Sequence, residues 1–194
     1  MVSGFKSDIH HRRSIRLAAY DYSKAGAYYL TLCSQDRECL FGSVIRGEMD
    51  LNDAGRMVKR LWLDLNAKFE NVETDTYVIM PNHFHGVIIL NDSRGRRGES
   101  CIRPHQGDHK DRPYGTFAGT LGRVIQAFKS ITTYGYIQGV KKGNWPPFSR
   151  RLWQRNYYEH IIRNEAELGE IRKYIEENPA KWKDDENHPS RIRL

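Results

Sequence analysis

The run Val78-Ile79-Met80-Pro81-Asn82-His83-Phe84-His85-Gly86-Val87-Ile88-Ile89-Leu90 constrains the fold of this chain more than any other. Its apolar residues predict two strands, Thr76–Met80 and His83–Leu90, hinged at Pro81-Asn82. A strand so apolar belongs inside a sheet, yet it carries two imidazoles. Successive side chains on a strand alternate faces, so His83 and His85 point one way and Phe84 the other. With Cα atoms about 7 Å apart, both rings can close on one metal ion. Two imidazoles rarely sit in a buried strand without a partner.

The rest of the chain supplies elements to cover that strand. Residues 27–34 predict a strand, and Phe41 to Met49 a second one, broken by Gly42 and Gly47. Ala54, Met57, Val58, Leu61 and Leu65 keep helical spacing, so a helix is expected over 52–69, capped by Asn52 or Asp53. A second helix is expected over 116–134, with Phe117, Leu121, Val124, Phe128 and Ile131 on one face and Arg123 and Lys129 on others. Residues 137–150 carry Gly139, Gly143 and Pro146-Pro147 and read as a loop, and Leu152–Ile162 reads as a strand. Asn164 opens a third helix, with Glu167 placed as in a capping box, and Pro179 stops it. Composition predicts a basic arm over 1–25, a flexible insertion over 91–115, and a polar, loose tail over 183–194. One α+β domain over 26–182 follows, a central antiparallel sheet with helices mostly on one face.

The chain has 194 residues, three cysteines without a CxxC pair, a net charge of +7 and a pI of about 9.3. Such a balance favours a polyanionic partner such as nucleic acid. The start is polar and basic, and the longest apolar run is Val87–Leu90, so a soluble cytoplasmic protein with reduced thiols and no membrane partner is expected. A histidine-triad hydrolase would want a third histidine at Val87, and a zinc hydrolase an acid nearer than Asp92. No GxxxxGK[ST] loop is present, so no nucleotide cofactor is expected.

The third helix adds Tyr174 and Asn178, four residues apart and hence on one face. Two imidazoles and an amide oxygen leave positions open on a divalent ion, which can polarise a phosphate oxygen while a tyrosine attacks phosphorus. Forming a phosphotyrosine exchanges one phosphodiester for another, so rejoining needs no nucleotide.

At these residues the sequence resembles a known family. MPNHFHGVI is similar to the histidine–hydrophobe–histidine (HUH) motif of single-tyrosine transposases. LWQRNYYEHIIRNEAELGEIRKYIEENPAKW and RRSIRLAAYDYSKAGAYYLTLCSQDRECLFG resemble the REP-associated tyrosine transposases, over roughly residues 12–182. The resemblance implies a ferredoxin-like sheet with flanking helices. It implies His83 and His85 as metal ligands, Tyr174 as the nucleophile forming a 5′-phosphotyrosine, and Asn178 as a metal-assisting residue where many relatives have glutamine. Tyr157 and Tyr158 match a strand position instead. The implied ion is Mg2+ or Mn2+, and the implied partner is hairpin-forming single-stranded DNA, bound by a monomer or a homodimer. Arg12, Arg13, Arg16, Arg150, Arg151 and Arg155, with Arg123 and Lys129 from the second helix, are the expected DNA contacts. A relaxase or replication initiator of the same class, and a hairpin-binding protein without transposition, are the alternatives.

Overall fold

The computed structural model describes residues 24–91, 119–143 and 145–191. Arg12, Arg13, Arg16, nearly all of the basic arm and nearly all of the 91–115 insertion therefore lie outside the described residues. The elements run β1 (Gly26–Cys33), β2 (Gly42–Ile45), β3 (Glu48–Leu51), α1 (Asp53–Leu63), α2 (Leu65–Lys68), β4 (Val72–Ile79), β5 (His83–Leu90), α3 (Leu121–Lys141), β6 (Tyr158–Ile162) and α4 (Glu165–Glu177). Strands β4, β5, β1 and β6 form one sheet in that order, with every pairing antiparallel. With β2–β3 set aside as a separate hairpin, the chain reads β-α-β-β-α-β. That is the ferredoxin-like order, and it places His83–Leu90 at a central position as expected.

Strand alternation divides the side chains between two layers. Tyr28, Leu30 and Leu32 of β1 and Phe84, Ile88 and Leu90 of β5 join Val58 and Trp62 of α1 and Val124 and Phe128 of α3 in the main core. Tyr29 and Val87 face the other way and pack with Ile162, Leu168 and Ile175. Helices α1, α2 and α3 thus share one face, as expected of helices gathered mostly on one side, while α4 and the segment after it cover the other.

Local differences from the expected elements have physical causes. The single strand over 41–49 is a hairpin, because Arg46 and Gly47 both take positive φ (54° and 82°) and turn the chain. The first helix is interrupted at Asp64, while Asn52 caps it as predicted, its side chain accepting from the Gly55 N–H at 2.9 Å. Helix α3 continues through Gly139 to Lys141. There glycine makes room instead of breaking the helix, since a Cβ on Gly139 would lie 2.2 Å from the Trp145 ring. Gly143, at φ 80°, ends the turn beyond it. Strand β6 starts only at Tyr158, because the Lys129 ammonium donates to the carbonyls of Gln154, Arg155 and Asn156 and draws them away from a ladder. The tail expected to be loose is folded from Pro179 to Arg191, with Asn187 buried. No described helix is long and apolar enough to cross a membrane.

Candidate metal and tyrosine site

The registers of the sheet assemble the site. Thr31 lies opposite His85 on one side and Tyr158 on the other, while Cys33 lies opposite His83. All these side chains share the α4 face. His83 is fully buried and His85 is 2 % exposed, with ring centroids 4.6 Å apart. Helix α4 lays Tyr174 across them, its ring 5.4 Å from His85 and 6.2 Å from Tyr29. Tyr174 remains 46 % exposed, so its phenol reaches solvent at the mouth of the site.

Each imidazole is held through Nδ1. His83 Nδ1 meets Asn82 Oδ1 at 2.9 Å, and Asn82 Nδ2 in turn donates to the carbonyls of Arg37 and Asn187. An amide oxygen only accepts, so the His83 proton sits on Nδ1. His85 Nδ1 lies 2.7 Å from the Tyr29 hydroxyl and 2.9 Å from Thr31 Oγ1. Burial, then repulsion from Arg37, lowers the His83 pKa to about 3, with Asn178 pulling the other way. Burial and then His83 push His85 well down. Both rings are therefore neutral at pH 7, the form that ligates metals.

A divalent ion fits the donors. His83 Nε2, His85 Nε2 and Asn178 Oδ1 are all buried without a hydrogen-bond partner among the described residues. Such orphans are costly unless something else satisfies them. His83, His85 and Asp185 offer ligand atoms within 4.8 Å of one another. Asp185 Oδ2 lies 3.7 Å from His83 Nε2, and its side chain is 5 % exposed. The sequence reading missed Asp185, Tyr29, Thr31 and Asn82. The acidic run Asp184-Asp185-Glu186 soon after Pro179 was the available signal for Asp185, but read as a solvated tail.

Tyr174 is pushed up by burial, then by Asp185, and eased by hydrogen bonds from Tyr29 and Asn178. Tyr158 is also on this face, its ring 6.1 Å from Tyr29. Tyr157 precedes the strand and packs on the main core, with Lys129 Nζ 5.2 Å over its ring.

The expected cations are dispersed. Arg150, Arg151 and Arg155 are exposed in the segment before β6, and Arg123 is exposed on α3, across the sheet from Tyr174. Lys129 is engaged by three carbonyls, and burial lowers its pKa to about 8. Arg37, at φ 55° in the turn after β1, lies beside His83 and lines the groove that opens over Tyr174.

No protein-family model matches the sequence. An uncharacterised protein of Haemophilus influenzae (strain ATCC 51907 / DSM 11121 / KW20 / Rd) is 40 % identical over 187 residues, spanning 96 % of this chain and 98 % of its own. A solved REP-associated tyrosine transposase bound to a REP hairpin aligns with a TM-score of 0.52 and 18 % identity, over 86 % of this chain and 73 % of that one. The chain belongs to the family of that Haemophilus influenzae protein, and it carries the fold of the REP-associated tyrosine transposase.

Proposed function

We propose that the protein is a metal-dependent transposase of the single-tyrosine HUH class that cuts and rejoins hairpin-forming single-stranded DNA. The observation that carries this reading is the pair of neutral imidazoles with orphaned Nε2 atoms beneath a half-exposed tyrosine. A solved transposase of this fold bound to a REP hairpin supports the choice of DNA.

His83 and His85 would hold the ion, with Asn178 and Asp185 as oxygen donors beside them. When bound, a divalent ion supplies Lewis-acid polarisation of a phosphate oxygen. Mixed nitrogen and oxygen donors suit Mn2+ better than Mg2+. Asn82 holds His83, and Tyr29 and Thr31 hold His85, so neither ring turns away from its ligand position. The Tyr174 oxygen forms the new P–O bond, giving a 5′-phosphotyrosine. The P–O3′ bond breaks, its electron pair leaves with the 3′ oxygen, and that oxygen takes up a proton. The phenolic proton passes to water at the open mouth. The reverse attack by a 3′-hydroxyl rejoins the strand and restores the phenol. Arg37, which lines the groove, is the cation best placed for the DNA backbone, followed by the exposed Arg155, whose neighbours Gln154 and Asn156 line it, and then by Arg150 and Arg151. Lys129 serves the chain's own carbonyls, and Arg123 belongs to the other layer.

The test is incubation with labelled hairpin DNA carrying single-stranded flanks, with Mn2+ or with chelator. A covalent protein–DNA species formed only with the ion is expected. Cleavage in excess chelator would contradict the metal role.

A further inference from the structure

Beside the metal centre a groove of about 610 Å3 opens between β1, β6 and α4. That volume lies in the ~300–1,000 Å3 range of small-ligand sites. The chemistry just described uses only the end where His85 and Tyr174 meet. The other end is built from three kinds of group. Tyr158 is 48 % exposed and stands edge-on to Tyr29, which holds its ring in place. Gln154 and Asn156 bring amides to the rim, on the segment that Lys129 fixes through three carbonyls. Glu167 and Glu170 line the helix wall.

The charges decide what the groove can take. Its described lining holds three carboxylates, Glu167, Glu170 and Glu186, against one permanently charged cation, Arg37. A phosphate would be repelled from the end away from Arg37. A flat neutral ring with hydrogen-bond donors would not. Glu167 is already engaged, one oxygen 2.6 Å from His160 Nε2 and the other accepting from the Arg163 N–H at 2.7 Å. Glu170 makes no ion pair or hydrogen bond to a described side chain and shares the groove-facing side of α4 with Tyr174, four residues on.

We propose that this groove binds one unpaired nucleobase of the strand being cut, stacked on Tyr158 and read by Glu170, with bases that carry an exocyclic amino group preferred over thymine. The proposal rests on the single-stranded DNA reading above. Aromatic side chains stack any base. A carboxylate only accepts, so it pairs with the amino group of cytosine. Thymine presents its single N–H between two carbonyls, which a carboxylate repels.

Binding in chelator, where no cleavage intervenes, separates the outcomes. The probes are fluorescein-labelled 15-nucleotide dC and dT strands and an abasic deoxyribose-phosphate chain of equal length. The wild type should bind dC tighter than dT by roughly tenfold, and both tighter than the abasic chain. Tyr158→Ala should weaken dC and dT binding roughly five- to hundredfold and leave the abasic chain unaffected. Tyr158→Phe, which keeps the stacking ring, should bind like the wild type, and Glu170→Gln should lose the preference for dC. Equal affinity for all three probes, or a Tyr158→Ala variant that binds like the wild type, overturns the base site while leaving the parent reading intact. Failure to bind any strand would remove both.

Discussion

The two faces of one sheet are built to different rules. On β5, Phe84, Ile88 and Leu90 enter the α1/α3 core, while His83 and His85, offset by one residue, enter the α4 face. On β1, Tyr28, Leu30 and Leu32 alternate with Tyr29, Thr31 and Cys33 in the same way. The first face is filled by aromatic and aliphatic side chains, with Trp62 and Phe84 centroids 4.5 Å apart. The second keeps only a small apolar cluster at one end and leaves orphaned polar atoms and an open groove at the other. The same strands thus separate stability from chemistry, and neighbouring residues should respond to substitution in opposite ways.

Neighbouring residues Phe84 and His85 give the largest contrast. Phe84→Ala should cost about 3–5 kcal/mol of stability, read by denaturant unfolding. His85→Ala, or His83→Ala, should abolish cleavage, destabilise less than Phe84→Ala and leave DNA affinity largely intact. A His85→Ala protein that still cuts would erase the distinction between faces.

The metal sharpens it further. An ion that binds only the folded chain stabilises it by about 2.7 kcal/mol at about a hundred times its Kd. Mn2+ should therefore raise the melting temperature of the wild type, and Asp185→Ala should shrink that rise. If Asp185→Ala responds to Mn2+ like the wild type, the folded tail is packing alone.

On the core face, Gly86→Ala probes how tightly the layers meet. Its Cβ would lie 2.7 Å from Phe84 Cζ and 2.8 Å from Trp62 Cζ2. Both rings are fully buried, so overpacking should cost about 1–3 kcal/mol. No loss of stability would mean the core has slack that the two rings can use.

The smallest effect concerns charge. Binding of single strands weakens with salt at a log–log slope of about 0.7 for each phosphate contact. Arg155→Ala should reduce the slope by about that amount, and Arg123→Ala, across the sheet, should leave it unchanged. An Arg123→Ala effect equal to that of Arg155→Ala would put DNA on both layers.

The sheet was legible because period-2 and period-3.6 patterns are local. His83–Leu90 has the bounds its composition predicts, and Asn52 and Asn164 cap their helices as their types suggest. What escaped was set by contacts distant in sequence. Gly139 reads as a helix breaker until Trp145 is seen against it. Residues 154–156 read as strand until Lys129 is seen holding their carbonyls. The imidazole pair and Tyr174 stood out as residue types in a pattern. Asp185 did not, because an acidic, proline-flanked tail carries no period to tell a solvated run from a docked one. Tyr29 and Thr31 also escaped, because only the folded sheet brings their hydroxyls to His85 Nδ1.

Identifying the residue that carries the DNA tests the central claim most directly. Hairpin DNA with single-stranded flanks is incubated with Mn2+, the covalent species is trapped and digested, and the modified peptide is found by mass spectrometry, with Tyr174→Phe run beside the wild type. The nucleotide should lie on the peptide holding Tyr174. Because Tyr174 is half exposed, Tyr174→Phe should change stability by no more than about 0.5 kcal/mol and form no adduct. A nucleotide on Tyr157 or Tyr158, or an undiminished adduct in Tyr174→Phe, would contradict the account.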